Sequence, residues 1–536
     1  MPRFKVLASF LIAFATLTHT SSATSLAQEL FSIGENVSVK GAAATEVSKR
    51  TVQVNASAMG DPFTLSLPGL AKITGKPLRA KEFFNYPGYV TKSVSGEVYS
   101  ESSTLNGEYI FSYTHSSANQ GSFHGTIRTP DGKTLLIKED SAVGGTAIVE
   151  VDEHKQLNCA ASSSLKSHHH FSKPSYPASA PSAQAVTIRV LMAYTPDAVQ
   201  VAGGNAQAQS ALANMLSSAN LAYTNSQTGV TLELAGTYPL SASSTDDFFV
   251  DLQAATDLSD GKWDELAQLR EEYCADMVSV IVGGTNGEQF CGIAWIGGNA
   301  SDMPLYQEQM FSIISIDSSL CNQYTFAHEL GHNFGSDHDY ANSGAAQSPP
   351  QSPAYAYSFG NRFFGNSAQQ YRTVMAYAPG TRIPYFSSPS ISFDGVATGT
   401  AQADNALSIA NTSPVVAGFY GEGDSCRTGD YPAPTEPTSI DLTSVTKQKN
   451  GRSKVTFQVY ASALGAPISG SSVQIRYDKK RAGQYNTVIK NLKTNTSGVA
   501  KYNTFLDKLK VGFYQACYSG TSTVCSGLLR KTNKRR

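Results

Sequence analysis

The segment that most constrains this chain is Thr325-Phe-Ala-His-Glu-Leu-Gly-His-Asn-Phe-Gly-Ser-Asp-His-Asp339. His328 and His332 are four residues apart. On a helix of 3.6 residues per turn they project from one face, one turn apart. Two imidazoles so placed can bind one Zn2+ at about 2.0–2.1 Å. Glu329 follows the first histidine and can reach a water in the open coordination position without ligating the ion. A helix continued past His332 would carry its next residues away from that ion. Gly335 can adopt φ > 0 and end the helix in a sharp turn, which lets His338 return to the same point. Three neutral histidines leave one position for water. Glu329 is then placed to take a proton from that water and deliver it to a leaving amine. Asp339 reads as a hydrogen-bonding anchor for the returning turn, with an ordinary turn acid as the alternative. A bare His-Glu-x-x-His arises by chance in amphipathic helices, but the extended pattern fixes six positions in twelve residues.

The chain has 536 residues, which suggests two to four domains. With 41% hydrophobic and 15% charged residues it belongs among globular rather than disordered sequences. Arg3 and Lys5 precede an apolar run from Val6 to Leu17, and small residues follow, so 1–23 reads as a signal peptide. That run is too short to span a membrane, and no later stretch of about 20 residues is continuously apolar. Export implies an oxidising compartment. Residues 24–160 read as a β-rich propeptide, from stretches such as Thr134-Leu-Leu-Ile-Lys138 and turn signals such as Pro130-Asp131-Gly132. A linker at 161–185 is the expected maturation site. It contains His168, His169 and His170, read as a solvated patch rather than a metal site.

Strand and helix patterns alternate from Val186 onward. Strands are expected at Val186–Tyr194, Val230–Ala235, Asp276–Val282 and Cys291–Ile296, with helices over Ala206–Tyr223 and Trp263–Tyr273. This predicts an α/β (α+β) domain over 186–425 that carries the histidine-bearing helix. A proline-rich linker at 426–437 leads to alternating stretches over 438–536, the pattern of a C-terminal β-sandwich of immunoglobulin or fibronectin type. From Tyr431 to Arg536 there are 18 Lys/Arg against 4 Asp/Glu, while the rest of the chain has 23 against 38. The tail is therefore read either as a solvated basic surface or as an anchor for anionic surfaces or polysaccharide. No recognised nucleic-acid module accompanies the charge, so nucleic acid is not an expected partner.

The motif, extended by Tyr371-Arg-Thr-Val-Met-Ala-Tyr377, resembles the metzincin metallopeptidases, in which a methionine turn follows the third histidine. The resemblance implies that Met375 forms an apolar floor beneath the metal. Asp339 after the last histidine resembles the reprolysin (adamalysin) branch. Met375-Ala-Tyr377 is similar to astacins and serralysins, where the tyrosine approaches the metal, so Tyr377 is expected either there or simply packed. The mixture, with Arg382-Ile-Pro-Tyr-Phe-Ser-Ser-Pro389, resembles bacterial reprolysin-like peptidases over roughly Val186 to Tyr420. It implies that the 186–425 domain is catalytic and built on a twisted mixed sheet, with a substrate cleft edged by the strand Cys291–Ile296, and a pocket walled by Ile383 to Phe386 for the side chain after the scissile bond. Ser336 stands where many reprolysin-like sequences carry cysteine, so that branch's disulfide pattern cannot be copied whole.

Seven cysteines leave one unpaired within a monomer. Cys517 and Cys525 are expected to close a hairpin, and Cys291 and Cys321 to pair ahead of the histidine helix, which leaves Cys274 with Cys426. Cys159 is the odd one, alone in the N-terminal region. It is read as a switch whose thiolate fills the open zinc position, as in proenzymes of several metzincin branches, or as a buried free thiol. Leu157-Asn-Cys-Ala160 does not match the usual consensus of such switches. The combined expectation is a secreted zymogen of a monomeric zinc endopeptidase with one catalytic Zn2+, acting on extracellular proteins or peptides. A structural Ca2+ is a further option that no motif supports. The competing reading is a non-catalytic adhesin with a relict peptidase domain, against which the intact Glu329 argues.

Overall fold

The computed structural model describes residues 29–37, 45–85, 89–101, 103, 105–116, 121–141, 143–159, 185–257, 260–287, 289–344, 353–420 and 426, and the strands between 439 and 531 with short connections. The leader 1–23, the three histidines of the linker, the proline spacer, Cys525 and the basic clusters at 479–481 and 532–536 lie outside the described residues.

Residues 31–151 form a nine-stranded sheet that is antiparallel at every pairing. Alternation along each strand gives the sheet two unlike faces. On one face Phe31, Phe63, Tyr109, Phe111 and Phe123 pack as an aromatic core, with the Tyr109 and Phe111 ring centroids 4.5 Å apart. The other face buries Thr91, Ser93, Ser112, Thr114 and Ser122. It lies against the helix Asn205–Asn225 through hydroxyl and amide groups. Ser210 donates to the Ser122 carbonyl at 2.9 Å, Asn214 Nδ2 donates to the Ile110 carbonyl at 3.0 Å, and Ser93 and Ser217 share a hydrogen bond of 2.8 Å.

The following region is layered about a five-stranded sheet. Its order is Val230–Pro239, Val186–Tyr194, Met277–Val282, Phe311–Ser315, Gly292–Ala294. All pairings are parallel except the last, so the sheet is mixed and the short strand Gly292–Ala294 forms its antiparallel edge. Met277–Val282 is buried at every position, as a strand covered on both faces must be. On one face Leu212, Leu216 and Tyr223 of the long helix meet Phe326, Leu330 and Met375. On the other, Phe248, Leu252, Leu266 and Leu269 cover the sheet.

Several boundaries differ from the sequence expectation. The helix expected over Trp263–Tyr273 spans Glu265–Glu272, because Trp263 has φ 62° and cannot sit in a right-handed helix. The edge strand is shorter than Cys291–Ile296. Three helices among the described residues go beyond the sequence reading, the first being Pro196–Ala202. Phe248–Thr256 is capped by Asp247, which accepts from the N–H groups of Phe249 and Val250, and Asn405–Val416 contains Pro414.

Cys274 pairs with Cys426 and Cys291 with Cys321, each with Cα atoms 5.4 Å apart. Cys517 is disulfide-bonded, and Cys159 is free and buried. In the last region two four-stranded antiparallel sheets share a core. Val455, Phe457 and Val459 of one sheet face Val473, Ile475, Tyr514 and Ala516 of the other. No helix among the described residues is long and apolar enough to cross a membrane.

Candidate functional site

The helix Thr325–Asn333 is buried along its whole length, between the sheet and the turn that carries Met375. Asn333 fixes it to the edge of the sheet by donating to the carbonyls of Trp295 at 3.0 Å and Phe311 at 3.2 Å. Gly331 lets the helix approach the methionine turn. A Cβ there would lie 2.6 Å from Met375 Sδ. The helix ends at Asn333, and Gly335 has φ 86°. A Cβ at Gly335 would lie 2.4 Å from Ala354 Cβ, so both conformation and space require glycine. The chain then turns into the short strand Asp337–Asp339, which brings His338 back.

The three histidines meet with their Nε2 atoms 3.1 Å apart in each pairing. Their Nδ1 atoms face carbonyls: Val374 at 2.8 Å from His328, Ser336 at 2.8 Å from His332, and Asn342 at 3.3 Å from His338. A carbonyl can only accept, so each Nδ1 carries the proton and each Nε2 presents a lone pair. Three converging lone pairs repel one another unless a cation lies among them. Nitrogens held about 2.0–2.1 Å from a tetrahedral ion are about 3.3 Å apart, so the donor set fits a metal of that kind. Burial lowers the pKa of all three, that of His332 to about 4, which keeps the rings neutral as ligands must be.

Glu329 points to the same place. Its carboxylate is fully buried and has no hydrogen-bond partner of good geometry among the described residues. Burial pushes its pKa up to about 8. The edge strand runs directly over it, and a Cβ at Gly292 would lie 2.6 Å from Glu329 Oε1. Asp339 ties the returning turn to the methionine turn. It accepts from Arg362 Nη2 at 2.7 Å and from the Tyr377 N–H at 3.1 Å. The Tyr377 ring lies 4.2 Å from that of His338, centroid to centroid, and its hydroxyl donates to the Cys159 carbonyl.

The N-terminal region reaches into this centre. Its last described residues run beside the edge strand, with Leu157 N–H donating to the Leu320 carbonyl and Cys291 N–H to the Asn158 carbonyl, each at 2.9 Å. Cys159 Sγ, a His328 ring nitrogen and a Glu329 carboxylate oxygen lie within 4.8 Å of one another. Burial raises the thiol pKa well above its usual value. With this segment in place His328, Glu329, His332 and His338 are all inaccessible to solvent.

The structure thus brings together His328, Glu329, His332, His338, Met375, Tyr377, Cys159, Gly335 and Asp339. The pocket segment divides differently. Ile383 packs with Phe363 and Tyr371, and Phe386 stacks on Tyr223 at 4.9 Å, so both serve the core. Arg382, at the head of that segment, is 1% exposed and close enough to the histidines for its charge to lower the pKa of His328, His338 and Glu329. Its sequence signal was its place at the head of the Arg382–Pro389 segment, which gave it no role of its own. Gly292, Gly331 and Glu153 gave no signal, because each matters only through a distant neighbour.

A mixed sheet with a histidine helix, a glycine turn, three converging imidazoles and a methionine turn packed on the helix is the arrangement of a metallopeptidase-type domain. Residues 184–405 match the family described as "Metallo-peptidase family M12B Reprolysin-like", and this part of the chain is similar to that family. The chain is similar to three proteins called peptidyl-Asp metalloendopeptidase. Identity is 36% over 247 residues with that of Stenotrophomonas maltophilia, covering 45% of this chain and 55% of the relative. It is 39% over 247 residues with that of Xanthomonas campestris, covering 45% and 54%. With that of Pseudomonas aeruginosa it is 31% over 242 residues, covering 40% and 36%. The chain thus spans about half the length, or less, of the curated relatives it matches.

Proposed function

We propose that this chain is the secreted precursor of a zinc endopeptidase that hydrolyses protein substrates beside aspartate. The observation that carries the reading is the convergence of three neutral imidazoles with a fully buried carboxylate from the same helix. Three histidines with an open position are the ligand set of a catalytic rather than a structural zinc site. The aspartate preference is suggested by the name of the relatives.

A zinc ion held by His328, His332 and His338 would supply Lewis acidity, which acidifies a water and polarises a carbonyl. Glu329 accepts the proton of the attacking water at its carboxylate and hands it to the leaving amine. Once the N-terminal segment is gone, the Tyr377 hydroxyl is free to donate to the substrate oxygen on which charge develops. The edge strand Gly292–Ala294 offers its free edge to an extended peptide, the place where Asn158 now bonds to Cys291.

Latency follows from the same contacts. The segment up to Cys159 covers the site, and its thiol lies beside His328 and Glu329, where it can block the approach of a water. The hydroxyl-rich seam between the N-terminal sheet and the helix Asn205–Asn225 suits an interface that must open, since both surfaces can be hydrated after separation. Two disulfides agree with export. The basic region after Tyr431 we read as an anchor to anionic surfaces.

The test is hydrolysis of aspartate-containing peptides by the full chain after cutting within 161–185. Cleavage is expected, is lost on chelation and returns with Zn2+. Glu329→Gln should keep the metal while kcat falls by about 10²–10⁴-fold. Hydrolysis that persists in metal-free protein, or is undiminished in the Gln variant, overturns the proposal.

A further inference from the structure

Arg382 ends the two-residue strand Thr381–Arg382, which pairs in parallel with Gln370–Arg372. Arg372 and Arg382 are register partners, so two guanidinium groups enter the same buried region from neighbouring strands. Arg372 is held by carbonyls, its Nε donating to Gly380 at 2.8 Å and its Nη1 to Ala376 at 3.1 Å. These acceptors fix its direction but carry no charge to balance it. Burial, with the Arg382 charge beside it, lowers its pKa to about 9. Arg382 is less well provided for. Its Nε and Nη2 are buried and have no hydrogen-bond partner among the described residues. An unpaired buried guanidinium is costly, and a second one beside it adds repulsion. Such an arrangement persists where an anion is expected.

Among the described residues two carboxylates come near the pair: Glu329, whose ionised form the Arg382 charge favours, and Glu153, which comes from the N-terminal region. Glu153 is buried and begins the turn Glu153–Lys155. Its Oε1 accepts the Thr134 hydroxyl, and its Oε2 lies 3.4 Å from the Arg382 backbone nitrogen, which donates to it. Glu153 also favours the charged form of Arg372. Six residues further on, the same segment places Cys159 beside His328 and Glu329. A single stretch therefore lays a carboxylate beside the arginines and a thiol beside the metal ligands.

We propose that Arg382, supported by Arg372, reads the acidic side chain adjoining the scissile bond, and that Glu153 fills this acid-binding place in the uncut chain. The inference rests on the endopeptidase reading and supplies its specificity residue. When the N-terminal segment leaves, Glu153 leaves with it, and the arginines face the emptied cleft beside Glu329. An aspartate carboxylate then restores the charge balance and can accept from a planar guanidinium at two points. An asparagine of the same size leaves the buried cations uncompensated, so discrimination arises from charge rather than from shape.

The experiment compares two peptides that differ only in Asp or Asn after the scissile bond, using full chains cut within 161–185. The wild type should favour Asp by about 10³-fold in kcat/KM. In Arg382→Gln that ratio should fall to within about tenfold of unity, and Arg382→Lys should retain an intermediate ratio. The ratio is taken within one preparation, so partial misfolding lowers both rates and leaves it unchanged. An Asp-to-Asn ratio in Arg382→Gln equal to the wild type's overturns the assignment. Calorimetric binding of the same peptides to the Glu329→Gln protein separates this inference from the catalytic one. Tighter binding of the Asp peptide that is lost on adding Arg382→Gln supports the acid pocket even without turnover, and equal binding of both peptides overturns it. In the uncut chain Glu153→Gln should raise residual hydrolysis severalfold, and unchanged latency removes the role given to Glu153.

Discussion

Asp339 Oδ2 accepts the backbone N–H of Tyr377 at 3.1 Å, across 38 residues of sequence. Through this bond the turn that returns His338 and the turn that carries Met375 hold each other in place. Arg362 completes the arrangement from a neighbouring strand, at 2.7 Å from Asp339 Oδ1.

Asp339→Ala leaves the Tyr377 N–H and the Arg362 guanidinium without this acceptor. The pair is mostly buried, with Arg362 27% exposed. Unfolding in urea should show a loss on the order of 2 kcal/mol. Because His338 is the ligand nearest the damage, the metal should also leave faster on dialysis against a chelator. Wild-type stability and metal retention would show that the anchor is dispensable.

Gly292→Ala tests how closely the edge strand approaches Glu329. A methyl group 2.6 Å from Glu329 Oε1 must displace the carboxylate, because the strand is fixed by pairing with Phe311–Ser315. A shift of about 1 Å in a reacting group can cost about 10²-fold in rate. The expectation is a kcat lowered by that order, with the melting temperature little changed, read by steady-state kinetics beside thermal unfolding.

Cys159→Ser in the uncut chain removes the sulfur but keeps the backbone hydrogen bonds of Leu157 and Asn158. A hydroxyl is a far poorer zinc ligand than a thiolate. The uncut variant should show chelator-sensitive hydrolysis about tenfold or more above the uncut wild type, equivalent to about 1.4 kcal/mol of lost blocking energy. Latency equal to the wild type's would mean that the segment blocks by bulk alone.

Asp276 supplies a pH signature well away from the histidines. Burial raises its carboxyl from 3.8 to about 6, although Oδ2 accepts the Arg189 N–H at 2.8 Å. A raised folded-state pKa means that the stabilising contribution is complete below the unfolded value and is lost as pH rises through about 6. Asp276→Asn cannot ionise. Its stability relative to the wild type should therefore climb between about pH 4 and pH 6 and then level off, by about 3 kcal/mol at most. Urea denaturation across that range checks it, and a flat difference would refute the burial argument.

The sequence by itself determined the part of the site that depends on local geometry. His328, Glu329 and His332 share a face because a helix repeats every 3.6 residues, and Gly335 returns His338 because only glycine takes φ 86° there at no cost. The strands at Val186–Tyr194, Val230–Pro239 and Met277–Val282 were legible from their apolar runs, while Phe311–Ser315 was missed and helix ends such as Trp263 depended on single dihedral angles. Only the tertiary structure decided what surrounds the histidines. Tyr377 and Cys159 are 218 residues apart, and Arg382 and Glu153 are 229 apart. Their meeting depends on which strand forms the edge of the sheet and on where the N-terminal sheet docks. Those are outcomes of register and packing over the whole chain, and no spacing along the sequence encodes them.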